Sequence, residues 1–235
     1  MCGLTYKPDR TATPGYGRSQ AAKTTASYKT APEEEKQQLT LFDVDKSGND
    51  GIMKASQSGK RSEQGHYVVE DGWVDIGNSK AIAAELKKFT EDTADSNIEK
   101  CLVITKDGRK FVVHGDRYNV NTTLLGDDMK GSINIHNHVK GESQYSFSYE
   151  DLISSINDGS YISMACDEKF TYSMIFDTPI SSDEAYTAYS QAKLEVDEAL
   201  FTKTDNISQE DEQHERIKRA CQKLGIIYKR SRSSA

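Results

Sequence analysis

Ser132-Ile133-Asn134-Ile135-His136-Asn137-His138, followed by Phe147-Ser148-Tyr149-Glu150-Asp151-Leu152, is the stretch from which the rest of the chain can be read. From Ser132 to His138 the residues alternate, with Ile133 and Ile135 on one side and Asn134, His136 and His138 on the other, as the period of two in a strand requires. Both imidazoles then project the same way. Asp151 follows in a segment, Tyr149 to Asn157, that reads as a helix opening behind Ser148 as its N-cap. Two histidines from a strand and one carboxylate from the next helix make a three-ligand zinc set with a fourth tetrahedral position open, the arrangement of a catalytic rather than a structural site. The bland reading is polar alternation at a strand end beside an ordinary N-cap whose acid suits the helix dipole.

Order and spacing together point further. His-x-His, a loop, then Ser-x-x-Asp resembles the signature of the JAMM (JAB/MPN) metalloproteases, and "HNH…FSYEDL" is most similar to JAB-like domains of phage head-morphogenesis and prophage proteins. The resemblance covers about Glu99 to Asp151. It implies zinc on His136, His138 and Asp151, Ser148 stabilising a tetrahedral intermediate, and a glutamate on an earlier strand as general base. That glutamate is Glu99, at the mouth of the strand Cys101 to Thr105; Glu85 and Glu91, on the preceding helix, are poorer candidates, and an exposed strand-end acid is the plain alternative for Glu99. Val139 stands where the family carries proline, and the His138 to Ser148 loop is longer than the family's.

Around this centre the chain predicts an α+β fold, a mixed and mostly antiparallel sheet flanked by helices and JAB/MPN-like by the resemblance. Tyr67 to Ile76 reads as a hairpin turning at Glu70-Asp71-Gly72, and Asn78 or Ser79 caps a helix through about Glu91. Cys101–Thr105 and Lys110–His114 pair across Lys106 to Arg109, with His114 as a turn residue; Asn119 to Lys130 is an irregular connection. Tyr161–Cys166 and Phe170–Phe176 form another pair, then Asp183 to Lys203 and Gln209 to Leu224 read as helices, the second stopped by Gly225. Lys229-Arg230-Ser231-Arg232 reads as a solvated basic tail. The division is a disordered N-terminal arm over 1–65, a JAB/MPN-like domain over 66–180 and a C-terminal helical extension over 181–235.

Composition excludes several classes. A hydrophobic share of 35% with 29% charged residues leaves part of the chain outside any core, and the net charge of −7 offers no basic field for nucleic acid. The HNH nucleases therefore share only the letters. There is no long apolar run and no charged-then-apolar leader, which predicts neither a membrane span nor secretion but a cytoplasmic protein, or a virion-associated one if the phage resemblance holds. Cys2, Cys101, Cys166 and Cys221 form no C-x-x-C pair and suit free thiols. Asp43 to Asn49 opens like an EF-hand loop but fails at Asp50 and Lys54, and the Asn121 and Asn206 glycosylation patterns mean little without a leader. The function these residues imply is zinc-dependent hydrolysis of an amide or isopeptide bond in a protein or peptide, with a ubiquitin-like or phage structural protein as the candidate partner. The alternative is a non-catalytic JAB-like module of a phage or prophage assembly protein.

Overall fold

The computed structural model describes residues 65–142 and 145–233. The N-terminal arm with its EF-hand-like stretch, and positions 143 and 144 of the loop after His138, lie outside the described residues.

The fold is α+β around a mixed seven-stranded sheet of order β1-β3-β2-β4-β5-β6-β7. Its strands are β1 (Tyr67–Trp73), β2 (Lys100–Ile104), β3 (Arg109–His114), β4 (Ile133–Asn137), β5 (Ile162–Cys166), β6 (Phe170–Ile175) and β7 (Ile227–Arg232). Every neighbouring pair is antiparallel except β4 with β5. A parallel pair needs a crossover, which α2 (Tyr149–Asp158) supplies. The loop leaving the C-terminal end of β4 and the first turn of α2 are thereby brought together, a position where open sheets hold their ligands.

Two faces of the sheet are covered differently. On one, α1 (Ser79–Thr93) sets Ile82, Leu86 and Phe89 against Leu102, Ile104, Ile133, Ile135 and Ile162. On the other, Val103, Phe111 and Val113 pack on Leu125 and Met129 of a 3-10 segment over Thr122–Met129. Further along, Phe147, Leu152, Ala165 and Tyr172 pack on α3 (Ser182–Thr202) and α4 (Glu212–Leu224) through Ala192, Ile217 and Ala220. The alternation read at β4 holds: Ile133 and Ile135 belong to the α1 side, whereas Asn134 and His136, also buried, face the other way. Cys101, Cys166 and Cys221 are buried free thiols.

Two expectations change. The stretch expected to be a hairpin holds one edge strand, Tyr67–Trp73: among the described residues β1 pairs only with β3, and Gly72, at φ +88°, lies in an irregularity of the register between Glu70 and Trp73. The basic tail is the opposite edge strand, β7, paired residue for residue with β6 from Ile227 against Ile175 to Arg232 against Phe170. The C-terminal extension is therefore more than helices, since it completes the sheet. Arg230 and Arg232 stack over Phe170, which covers the apolar ring with their guanidinium planes.

Candidate metal centre

His136 is the last residue of β4 in register with β2, where it faces Cys101. Asn137 follows, and the chain then leaves β2: the His138 N–H donates to the Cys166 carbonyl at 2.8 Å, so His138 sits beside the end of β5. Asp151 arrives from α2 in a capping box. Its N–H donates to Ser148 Oγ at 3.0 Å, and its Oδ2 accepts from the Ser148 N–H at 2.7 Å and the Ser148 hydroxyl at 2.8 Å. The cap fixes the carboxylate where the helix opens, and Oδ1 is turned to His136.

The three side chains converge on one point. The Nε2 atoms of His136 and His138 are 3.1 Å apart, His136 Nε2 is 3.4 Å from Asp151 Oδ1, and His138 Nε2 is 3.6 Å from Asp151 Oδ2. Ligands 2.0–2.1 Å from a tetrahedral cation stand roughly 3.3 Å from one another, so the triangle has the size such an ion needs. The donor set fits as well, since two imidazole nitrogens and one carboxylate are ligand types that zinc takes. Among the described residues this is the one group of three or more His, Cys, Asp or Glu whose ligand atoms approach closely enough to share a metal ion.

Electrostatics ties the group together. Burial alone would lift the Asp151 carboxyl, but the facing rings of His136 and His138 hold it well below the usual carboxylate range. Burial opposes a charge on His136, and Asp151 with Glu99 overcomes it, so that ring's value is raised. Glu99 is pushed up by desolvation, against the pull of His136 and His138. It is only partly buried, just before β2, and shares with His138, Ser148 and Asp151 the wall of a cleft of about 390 Å³. Four of the five residues predicted for the site thus line one cleft, and the fifth, His136, lies behind them with its Nε2 3.1 Å from that of His138. His138 Nδ1 is buried and meets no acceptor among the described residues.

Ser148 has one hydroxyl proton, and in this arrangement it goes to Asp151. The other candidates are elsewhere: Glu85 bonds Lys110 at 2.8 Å, Glu91 forms an exposed pair with Lys87, and His114 stacks on Tyr67 with ring centroids 4.5 Å apart.

Several residues that shape the site were not singled out beforehand. Gln213 on α4 donates to the Phe147 carbonyl at 3.0 Å, Arg230 on β7 donates to the Tyr145 carbonyl at 3.4 Å, and the Tyr228 hydroxyl meets Ser146 Oγ at 3.4 Å and His214 Nδ1 at 2.8 Å. The C-terminal elements therefore grip the segment that delivers Ser148. The available signal was the alternation Tyr228, Arg230, Arg232, which a basic composition disguised as a tail.

The fold and site together define an α+β protein with a partly buried two-histidine, one-carboxylate cluster at the end of its parallel strand pair. Comparison of the chain with protein-family models, with curated proteins and with solved structures finds no match. Among the described residues no helix is long and apolar enough to cross a membrane.

Proposed function

We propose that this protein is a zinc-dependent hydrolase of amide or isopeptide bonds, similar in site and fold to the JAMM (JAB/MPN) metalloproteases. The observation that carries the reading is the convergence of His136, His138 and Asp151 within 3.1–3.6 Å of one another, with Glu99 on the cleft that His138 and Asp151 also line. His136, His138 and Asp151 would hold the ion. A bound zinc supplies Lewis acidity to a carbonyl oxygen and acidifies water at its open position.

The chain's own groups do the rest. Glu99, its carboxyl raised by burial, accepts a proton from the attacking water and delivers it to the leaving nitrogen as the C–N bond breaks, giving an acid and an amine. The Ser148 hydroxyl, on the cleft wall, can turn from Asp151 to a developing oxyanion, because the Ser148 N–H continues to hold Oδ2. The substrate is a protein or peptide, with ubiquitin-like and phage structural proteins as the candidate class.

A second reading rests on the capping box. Asp151 and Ser148 satisfy one another at the start of α2, which is what a non-catalytic JAB-like module of a phage or prophage assembly protein would retain. Zinc-loaded wild type and Glu99→Gln, assayed on isopeptide-linked and linear peptide probes, separate the two. The hydrolase reading expects Glu99→Gln to keep its metal and lose about 10²–10⁴ in rate. Full metal content with no cleavage of any probe by wild type assigns the chain to the structural reading.

A further inference from the structure

Asn137 stands between the two histidines and points away from them, and its partners are specific. Its Oδ1 accepts from the Lys100 N–H at 2.9 Å and its Nδ2 donates to the Ile98 carbonyl at 3.1 Å. These two backbone groups bracket Glu99. Asn137 is only 2% exposed, so neither bond is shared with open solvent.

Topology explains why an amide is needed there. The β2–β4 register runs from Ile104 against Ile133 to Cys101 against His136, which brings Lys100 level with Asn137. At that level the main chain of β4 stops pairing with β2 while it stays with β5, whose Cys166 carbonyl accepts from the His138 N–H, and this carries the second imidazole to the cluster. The Asn137 side chain then takes over the pairing with β2 that the main chain gives up. It needs a donor and an acceptor on separate atoms at one reach; serine offers one atom and aspartate offers no donor.

The opposite side of Glu99 is held by backbone alone. The Glu99 N–H donates to the Asp116 carbonyl at 2.6 Å, and the Gly115 N–H donates to the Glu99 carbonyl at 2.9 Å. A Cβ on Gly115 would lie 2.1 Å from the Asn119 carbonyl oxygen, so this approach admits only glycine. Glu99 is thus fixed from both flanks, and the side chain that bonds both backbone groups bracketing it belongs to the residue between the two proposed ligands; the Ser96 hydroxyl shares the Ile98 carbonyl at 2.7 Å, whereas the Lys100 N–H meets Asn137.

From this we infer that Asn137 is a positioning residue that holds the Glu99 carboxylate in register with the His136–His138–Asp151 group. One residue of β4 thereby couples the placement of the proton-transfer group to the placement of the ligands. The inference rests on the proposed metal-centre reading, since the clamp has its purpose only if Glu99 serves that centre.

Cobalt(II) in place of zinc gives a visible spectrum that senses groups beside the ion, and amide hydrogen exchange reads the clamp without any metal. In wild type, Asn137→Ala, Glu99→Ala and the double variant, Asn137→Ala is expected to bind cobalt with wild-type stoichiometry and to move the spectrum to that of Glu99→Ala. The double variant should match Glu99→Ala, the non-additivity of two residues acting as one unit. Exchange at the Lys100 amide should quicken about 3- to 10-fold in Asn137→Ala, as for the loss of one net hydrogen bond. Asn137→Asp is close to isosteric and serves as the second variant; it should keep Lys100 protected, because Oδ1 remains, and still shift the spectrum, because a carboxylate oxygen in place of Nδ2 repels the Ile98 carbonyl even though the Ser96 hydroxyl still donates to it. Wild type that loads cobalt, with an Asn137→Ala spectrum and Lys100 exchange unchanged, overturns the clamp alone. Wild type that takes up no cobalt overturns the metal centre, and the inference falls with it.

Discussion

His136 and His214 are both buried and are linked through Phe147, whose ring is 6.1 Å from that of His136 and 6.4 Å from the Tyr228 ring, itself 5.4 Å from His214. Their electrostatic settings are opposite. Around His136 the carboxylates of Asp151 and Glu99 outweigh burial and favour positive charge. Around His214 burial comes first and Arg230 adds to it, holding the ring near a value of about 4, while Nδ1 is engaged by the Tyr228 hydroxyl. One region could hold a cation, while the other anchors a loop with a neutral ring. Burial alone does not mark a histidine as a candidate ligand; a second imidazole and a carboxylate directed at the same point do.

The largest effect on this contrast should come from removing the residue between the regions. Phe147 is fully buried, and Phe147→Ala should cost about 3–5 kcal/mol of stability. It should also weaken metal retention, because the segment delivering Ser148 and Asp151 loses its core contact; chemical denaturation followed by metal analysis reads both.

Tyr228→Phe is a smaller break, confined to the neutral side. It strips His214 Nδ1 of its partner and should cost about 1–3 kcal/mol, with metal content unchanged. Loss of metal in this variant would show that the two regions are not separable.

The least effect is a pH slope. The unfolded chain protonates His214 near its ordinary 6.5, whereas the folded protein resists until about 4, so the unfolded state binds more protons in that window. The stability from this group is full above 6.5 and is lost as pH falls toward 4. Thermal melts of wild type should fall by a few degrees more than those of His214→Gln between about pH 6.5 and 5, where carboxylates contribute little to the difference. Parallel curves would contradict the assignment.

Much of this architecture was legible in local pattern. The Ile133–Ile135 alternation placed β4, Ser148 with Asp151 announced the start of α2, and the His-x-His spacing identified the cluster, because each signal lies within a few residues. What escaped depended on long-range pairing. Gly72 looks like a hairpin turn, and only the β3 register shows it within an edge strand. Lys229 to Arg232 looks solvated until β6 supplies its partner and Phe170 its stacking surface. Asn137 reads as a spacer between ligands, since nothing local says that Ile98 and Lys100 lie opposite it.

Elemental analysis of purified wild type beside His138→Ala and His214→Gln tests the central claim most directly. About one zinc per chain is expected in wild type and His214→Gln and none in His138→Ala. A wild type without metal, or a His138→Ala protein that keeps it, would contradict the account.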